Sequence, residues 1–384
     1  MGRAPATLVY AIGPASDLLR VAPVIAALRR RLPAARHATV SILRREDAGL
    51  SETLAELLAI RPPDHVLDVE HDAEGAEMAR ALERVERVLV AERPDVVVVS
   101  GDCNASLATA LAAVKLEIPV AHLRAGLRKH DRSVPEEINR VLVDRLPTWH
   151  FVPGGEAAAN LAREGIGPTG VYDVGDPLGD TLSLLEGRLH RAPALEALPV
   201  APGGYVYAAL DAGVLRARGV LPSVLRELDG LSAHLPVVLP MAAEVRTWGR
   251  LAGDSAVHRI QPPRELDRLA LEWGAAAVLT DASNVQEETR FFGVPCFTLR
   301  DSSPHPVAGE AGHNRLLGAR PEAIRTIPSG LRPHAGRVAR PAGWDGHAAE
   351  RIADVLAGSL ASERLAGIMA RAMVLPSIAE DRRL

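Results

Sequence analysis

The chain has little cysteine, no excess of basic residues and no long apolar run, and each shortage excludes a class of protein. Its two cysteines, Cys103 and Cys296, lie far apart, so we predict buried, unpaired thiols and no metal cluster. We also predict no cofactor. The formal net charge of −4 argues against a nucleic-acid partner. No apolar run reaches the roughly 18–20 residues that span a bilayer, and no signal-peptide cleavage site is visible. We therefore expect a cytoplasmic protein without a membrane span.

The order of apolar segments predicts two α/β domains. A chain of 384 residues is longer than one core usually serves. Strand-like runs, such as residues 7–12 and 95–100, alternate with helical patterns, and the alternation repeats over residues 205–299. This alternation favours doubly wound parallel sheets. We predict a first Rossmann-like domain in residues 1–185, a second in 186–360, and a C-terminal helix and tail in 361–384.

Polar and charged residues follow the predicted strands, where open α/β sheets bind their ligands. In the first half these residues are Gly13, Asp102, Arg124 and Arg128. In the second half they are Asp211, Asp281, Ser283, Asn284, Arg300 and Asp301. Together they predict a ligand cleft lined by both domains. The alternative for any single loop is that polar segments simply begin where strands end.

Two predicted helix starts carry groups suited to ligand binding. Pro135 to Arg140 places Glu136 and Glu137 in a first turn, although the helix dipole alone favours carboxylates there. After Asp281, the free backbone N–H groups of the next helix could receive phosphate oxygens.

Several motifs occur in one order along the chain and together resemble a known family. They are Ser100-Gly101-Asp102, Ile118-Pro119-Val120-Ala121-His122, Ala125-Gly126-Leu127-Arg128, Pro135-Glu136-Glu137-Ile138-Asn139-Arg140, Leu279-Thr280-Asp281, Gln286-Glu287-Glu288, Gly293-Val294-Pro295 and Arg300-Asp301. This set resembles the non-hydrolysing UDP-N-acetylglucosamine 2-epimerases over about residues 7–360. The resemblance implies the GT-B architecture, in which two Rossmann-like domains face each other across a cleft. It also implies that the C-terminal domain holds UDP and that a C-terminal helix returns to the first domain.

The resemblance implies a set of site residues. The catalytic candidates are Asp102, Glu136, Arg124 and Asp211. The candidates for binding the UDP-sugar are Gly13, Arg20, Arg128, Glu137, Asn139, Arg140, Asp281, Ser283, Asn284, Glu288, Arg300, Asp301 and His305.

The chain also departs from the family pattern at positions that carry chemistry. The turn after the first strand lacks the family's arginine, and Arg124 stands where the family has a carboxylate. The segment at Asp211 lacks a histidine implicated in catalysis. The segment at His305 lacks a glutamate expected near the ribose. Arg124 could pair with Asp102 or Glu136 and merely close a vestigial site.

These departures affect the expected reaction. The family eliminates UDP to form a glycal and adds it back with inversion at C2, which requires a base for a weakly acidic proton. Because a carboxylate and a histidine are lost, we expect glycosyl transfer of an N-acetylhexosamine-type sugar from UDP to a small-molecule acceptor. The alternatives are a UDP-N-acetylglucosamine 2-epimerase, hydrolysing or not, and an inactive UDP-sugar-binding protein. We also expect a homodimer, as the resemblance implies.

Overall fold

A computed structural model describes residues 5–43, 57–69, 73–211, 215, 219–241, 256–303, 314–331, 340 and 342–362. The chain divides into two compact units. The first comprises residues 1–127, 132–180 and 346–384, and the second comprises 128–131 and 181–345. The segment 346–360 therefore belongs to the first unit, whereas the sequence analysis placed it in the second domain.

The first unit contains a sheet of seven parallel strands. They are β1 (Thr7–Ile12), β2 (Arg36–Leu43), β3 (His65–Asp68), β4 (Val96–Ser100), β5 (Val120–Leu123), β6 (Trp149–Val152) and β7 (Val171–Asp173). Their order is β3-β2-β1-β4-β5-β6-β7. Every residue of β4 is buried, as expected for an apolar run in a sheet covered on both faces. The order reverses between β1 and β4, which is where such sheets bind ligands.

Helices connect these strands. They are α1 (Leu18–Arg31), α2 (Glu74–Glu92), α3 (Asn104–Lys115), α4 (Pro135–Val143), α5 (Gly155–Arg163) and α6 (Pro177–Leu189). A short 3₁₀ turn, Ala15–Asp17, precedes α1. Helix α4 begins with Pro135, whose fixed φ suits the first helical position. The division between the units falls within α6.

The second unit contains a sheet of six parallel strands. They are β8 (Val206–Ala209), β9 (Val237–Pro240), β10 (Val257–Ile260), β11 (Ala277–Thr280), β12 (Cys296–Thr298) and β13 (Asn314–Leu316). The order β10-β9-β8-β11-β12-β13 reverses between β8 and β11. Its helices are α7 (Pro193–Glu196), α8 (Leu221–Ser232), α9 (Glu265–Trp273), α10 (Ser283–Phe292) and α11 (Ile327–Gly330), the last of which follows a 3₁₀ turn, Pro321–Thr326. The two Rossmann-like sheets confirm the predicted fold class.

The last described helix, α12 (Ala348–Ala361), packs against α1 in the first unit. Arg31 pairs with Asp354 at 2.6 Å. The backbone N–H of Ala349 donates to Asp180 Oδ1 at 2.9 Å, and Arg351 Nε donates to the carbonyl of Val174 at 2.9 Å. A helix near the C-terminus therefore packs on the first domain, as the resemblance implies. It lies at residues 348–361, before the predicted range 361–384, of which residues 363–384 lie outside the described residues. No helix among the described residues is long and apolar enough to cross a bilayer.

Candidate functional site

A pocket of about 380 Å³ opens at the carboxyl edge of the first sheet. It is lined by the end of β2, by loops that follow the strands and by the N-terminal parts of α2, α3 and α4. The lining residues are Pro14, Ile42, Val69, Glu74, Glu77, Ala81, Asp102, Cys103, Asn104, Ala105, Pro135, Glu136 and Asn139. We call it the carboxyl-edge pocket. It lies beside the reversal of strand order between β1 and β4, where strand-end residues predicted a site.

The carboxyl-edge pocket is acidic. Four carboxylates line it, those of Glu74, Glu77, Asp102 and Glu136, and no arginine or lysine is among the lining residues that the structure describes. Glu74 accepts a hydrogen bond from Asn104 Nδ2 at 2.6 Å. Glu136 is exposed and forms no hydrogen bond or ion pair with any residue that the structure describes. Its carboxylate is therefore available to accept a proton from a bound molecule.

Helix α4 organises the turn that carries Asp102. Arg140 forms an ion pair with Asp102 and also contacts the buried Glu137, Nη1 to Oε2, at 3.1 Å. Asn139 Nδ2 donates to the carbonyl of Asp102 and to Asn104 Oδ1, both at 3.0 Å. The structure thus brings four predicted site residues into one network. Because Arg140 compensates its charge, Asp102 is a weaker base candidate than Glu136.

Gly13 lies where two loops approach closely. A Cβ atom at this position would lie 2.5 Å from Cys103 Sγ and 3.2 Å from Asp17 Oδ2. Only glycine allows this approach at the end of β1. Burial raises the pKa of the Cys103 thiol to about 12, and the nearby charge of Asp17 adds to the rise. The thiol is therefore protonated near neutral pH, which argues against a nucleophilic role.

A buried charged cluster, formed by Asp17, Arg20, Arg124 and Asp176, contains two of the predicted site residues. Arg20 Nε lies 3.8 Å from Asp176 Oδ1, and Arg124 Nε lies 3.5 Å from Asp176 Oδ2. The expectation that Arg124 pairs with Asp102 or Glu136 is therefore replaced by an ion pair with Asp176. This pair holds a backbone with φ of 66° at Arg124, a conformation that is rare outside glycine.

Asp17 was missed by the sequence analysis as a site residue. Burial raises its pKa to about 6, while the charges of Arg20 and Arg124 lower it and that of Asp102 raises it. Asp176 was missed as well, because the short strand β7 that it follows was not predicted. Since ligands bind beyond the carboxyl ends of parallel strands, the position of Asp176 after β7 would have marked it as a candidate site residue.

A buried histidine ties together the loops after β4 and β5. His122 Nδ1 lies 2.7 Å from Asp144 Oδ1, and His122 Nε2 lies 2.9 Å from the carbonyl of Gly101. Asp144 Oδ2 accepts the backbone N–H of Gly126 at 3.0 Å. These bonds fix the turn from which Asp102 projects, a role that the motif alone did not reveal.

In the second unit, three predicted residues contact one another at the carboxyl ends of β8 and β11, where the strand order reverses. Asp281, after β11, is buried, and its Oδ1 accepts the backbone N–H of Asp211, after β8, at 3.0 Å. Arg300 Nε donates to the carbonyl of Asp281. Burial raises the pKa of Asp281. Asp281 therefore supports the strand ends, while Arg300 supplies a positive charge at the same edge.

Ser283 and Asn284 begin α10 directly beyond Asp281. The residue that precedes the helix, Ala282, provides no side-chain cap, so the first backbone N–H groups remain without a capping side chain. A helix start of this kind favours an anion such as phosphate. The geometry agrees with the expectation that this turn receives a diphosphate, which stays a prediction.

Glu288 lies deeper in the second unit than its predicted role suggests. It is fully buried, and its two carboxylate oxygens accept from Arg268 Nη1 at 2.7 Å and Nη2 at 3.0 Å. Glu265 and Glu272 contact the same arginine. Glu288 is therefore part of an ion cluster between α9 and α10, and its contact with a UDP-sugar stays a prediction.

The remaining predicted residues lie in separate places. Asp301 Oδ1 accepts the backbone N–H of Ala319 at 3.1 Å. Arg128 is buried and belongs to the segment 128–131, which groups with the second unit. In that unit, Ser302 Oγ lies 3.5 Å from Asp131 Oδ2. His305 lies outside the described residues. Among the described side chains, no group of three or more His, Cys, Asp or Glu could hold a metal.

The model of the family UDP-N-acetylglucosamine 2-epimerase matches residues 37–357. The chain belongs to this family. A relative from Pseudomonas aeruginosa, UDP-2,3-diacetamido-2,3-dideoxy-D-glucuronate 2-epimerase, is 35% identical over 319 residues, which cover 81% of this chain and 88% of the relative. A UDP-N-acetylglucosamine 2-epimerase of Methanocaldococcus jannaschii is 30% identical over 327 residues, which cover 82% of this chain and 88% of that relative.

A solved structure agrees with this assignment. The Methanocaldococcus jannaschii UDP-GlcNAc 2-epimerase in complex with UDP-GlcNAc and UDP aligns with a TM-score of 0.79 and 29% identity, covering 91% of this chain and 99% of that one. This chain is therefore a UDP-GlcNAc 2-epimerase-like enzyme with the GT-B fold. These relatives are named as epimerases, which favours the epimerase alternative over the glycosyltransferase that the sequence analysis preferred.

Proposed function

We propose that this enzyme inverts C2 of a UDP-activated 2-acetamido sugar of the UDP-N-acetylglucosamine class. The observation that carries the proposal is the carboxyl-edge pocket, in which Glu136 presents a carboxylate without a partner among the described residues. The family and its epimerase relatives supply the reaction class.

The proposed chemistry uses Glu136 as the base. Its carboxylate takes the C2 proton, the C2–H electrons form the C1–C2 double bond of a glycal, and the C1–O bond breaks with its electrons on UDP. In the return step, a water molecule on the opposite face gives its proton to C2, the electrons of the C1–C2 double bond form the new C2–H bond, and a UDP oxygen forms the bond to C1. The proton held by Glu136 neutralises the hydroxide that the water leaves, which returns Glu136 to its carboxylate form. A positioned base of this kind contributes about 10²–10⁴-fold to rate.

We assign the diphosphate to the edge of the second sheet, at the start of α10 and near Arg300. The helix start lacks a side-chain cap, and Arg300 is anchored to the carbonyl of Asp281 beside it. Backbone N–H groups and a guanidinium together stabilise the charge that develops on a departing phosphate.

The charge of the carboxyl-edge pocket favours a neutral sugar. Four carboxylates are among its described lining residues. Arg140 compensates that of Asp102, and a uronate would add a further negative charge beside the other three. Two like charges about 4 Å apart repel by about 1 kcal/mol in water and more in a drier site. We therefore expect UDP-N-acetylglucosamine to be preferred over the diacetamido-glucuronate substrate in the Pseudomonas relative's name by about tenfold or more.

Glycosyl transfer is the second candidate. It is favoured by Arg124, which stands at the position of a family carboxylate and is held by Asp176. The segment at Asp211 also lacks the family's histidine. In this case Glu136 would take a proton from an acceptor hydroxyl, and the sugar would move from UDP to that acceptor.

One experiment separates the candidates. Purified enzyme is incubated with UDP-N-acetylglucosamine in D₂O without an acceptor, and the products are followed by NMR. We expect the C2 epimer, UDP-N-acetylmannosamine, with deuterium at C2. Release of UDP only when an acceptor is added would support transfer, and saturable binding without turnover would support an inactive binding protein. The homodimer and the cytoplasmic location stay predictions.

A further inference from the structure

A second pocket of about 430 Å³ lies at the amino edge of the first sheet. It is formed by the C-terminal end of α1, the start of β2 and the segment that leads into β3. Its lining residues are Arg29, Pro33, Ala35, Arg36, His37, Arg61 and Asp64. We call it the amino-edge pocket. Because all strands of this sheet are parallel, it lies at the end opposite to the carboxyl-edge pocket.

We propose that the amino-edge pocket binds a phosphate dianion, either free or as the phosphate group of a small metabolite. The inference is independent of the proposed function, because the pocket shares no lining residue with the carboxyl-edge pocket.

The arginines of the amino-edge pocket have N–H groups that are available to bind an anion. Arg29 and Arg61 form no hydrogen bond or ion pair with any residue in the described part of the chain. Arg36 uses Nε and Nη2 on Glu92, at 2.7 and 2.8 Å. Among the described lining residues, Asp64 carries the only carboxylate. Because Glu92 compensates Arg36, Arg29 and Arg61 against Asp64 leave a net charge of +1. Guanidinium groups recognise phosphate through paired hydrogen bonds.

The frame of the pocket is rigid before any ligand binds. Arg61 is followed by Pro62 and Pro63, which fix the backbone up to Asp64. Asp64 is held in turn, because its Oδ2 accepts the backbone N–H of Thr39 at 2.8 Å. Little backbone freedom remains to be lost in this segment when an anion binds, which improves affinity.

His37 forms the floor of the pocket as a neutral group. Its Nδ1 accepts from the hydroxyl of Tyr10 at 2.8 Å, and its Nε2 donates to the carbonyl of Leu32 at 3.2 Å. Burial lowers the pKa of His37, and the charges of Arg29 and Arg61 lower it further. Because His37 is neutral and both its ring nitrogens are hydrogen-bonded, the anion is bound by the arginines.

The helix dipole does not account for this arrangement. Basic residues are favoured in the last turn of a helix, and Arg29, Arg30 and Arg31 end α1. However, Arg30 and Arg31 pair with carboxylates of α12, at 3.7 and 2.6 Å, whereas Arg29 lines the pocket. Arg61 lies outside any helix, so a helix terminus does not explain its position.

Isothermal titration calorimetry at low ionic strength tests the proposal, with inorganic phosphate and glucose 6-phosphate as probes. The pocket variants are Arg29→Gln and Arg61→Gln, each checked for an unchanged thermal melt. The matched control is Arg87→Gln on α2, an exposed arginine whose ion pair is with Glu83 of its own helix. A second control, Arg300→Gln, reports any phosphate held at the proposed nucleotide site.

We expect each pocket variant to weaken phosphate binding about tenfold or more, as the loss of one charge-assisted contact implies, while Arg87→Gln matches the wild type. Arg300→Gln should keep the phosphate site that the pocket variants lose, and any binding that it does lose belongs to the proposed nucleotide site. Tighter binding of glucose 6-phosphate than of phosphate would identify a phosphorylated metabolite, and equal binding would identify free phosphate. Absence of binding to the wild type, or equal binding by the pocket variants, would overturn the proposal. Turnover of UDP-N-acetylglucosamine is measured separately, so the two proposals fail independently.

Discussion

Arg124 Nε lies 3.5 Å from Asp176 Oδ2, and the same aspartate lies 3.8 Å from Arg20 through its other oxygen. Asp176 is fully buried. It therefore compensates two arginines at the carboxyl edge of the first sheet, and the position of the Arg124 guanidinium depends on it.

Replacing Asp176 by asparagine should destabilise the protein strongly. The amide keeps the shape and can still accept the backbone N–H of Leu178, which now bonds Oδ1 at 2.9 Å, but the charge is lost. Removing one partner of a buried ion pair costs about 3–5 kcal/mol because the other charge stays uncompensated. Urea unfolding measures the loss. The control Asp354→Asn breaks the exposed pair with Arg31 and should cost less than about 1 kcal/mol; equal costs for the two variants would contradict this account.

Asp17 should make stability fall as pH rises from about 4 to about 6. Its pKa is raised from 3.8 to about 6, so the folded state binds more protons than the unfolded state in this window. The stabilisation is complete below the unfolded value and is lost through the folded value, by about 3 kcal/mol. The test compares unfolding free energies of the wild type and Asp17→Asn across pH. A difference between them that stays constant from pH 4 to 7 would refute the assignment.

Gly13→Ala should damage both stability and the carboxyl-edge pocket. The new methyl group would lie 2.5 Å from Cys103 Sγ, and such overpacking costs about 1–3 kcal/mol. Adding Cys103→Ala removes the sulfur and should restore part of the loss, which a double-mutant cycle measures. Gly75→Ala is the control, since a Cβ there has no atom within 4 Å. If Gly13→Ala behaves like the control, the close approach is not a constraint.

Glu136→Gln should abolish most turnover while leaving the affinity for UDP unchanged. The amide cannot accept the C2 proton, so kcat should fall by about a hundredfold or more. Glu74→Gln removes a charge from the same pocket and should change kcat only a few-fold. Equal losses in the two variants would show that the charge of the pocket, rather than a base at Glu136, controls the reaction. Steady-state kinetics and UDP titration provide the two readouts.

The sequence alone predicted the alternation of apolar strands with helices, and it predicted β1 at its observed bounds. Strands β6, β7, β10 and β13 were missed, because polar or charged residues such as His150, Asp173, Arg259 and Arg315 interrupt their short apolar patterns. The observed C-terminal helix ends at Ala361, whereas the helix and tail were predicted in 361–384, of which residues 363–384 lie outside the described residues.

By itself the sequence determined the fold class, the family and the strand ends at which polar groups collect, because periodicity and motif order are properties of neighbouring residues. Only the tertiary structure decided which charged side chains form ion pairs. Arg124 pairs with Asp176 because β5, β6 and β7 are adjacent in the sheet, and Glu288 joins Arg268 because α10 packs on α9. Such pairs depend on the order of the strands and the packing of the helices, and spacing along one chain does not encode either directly.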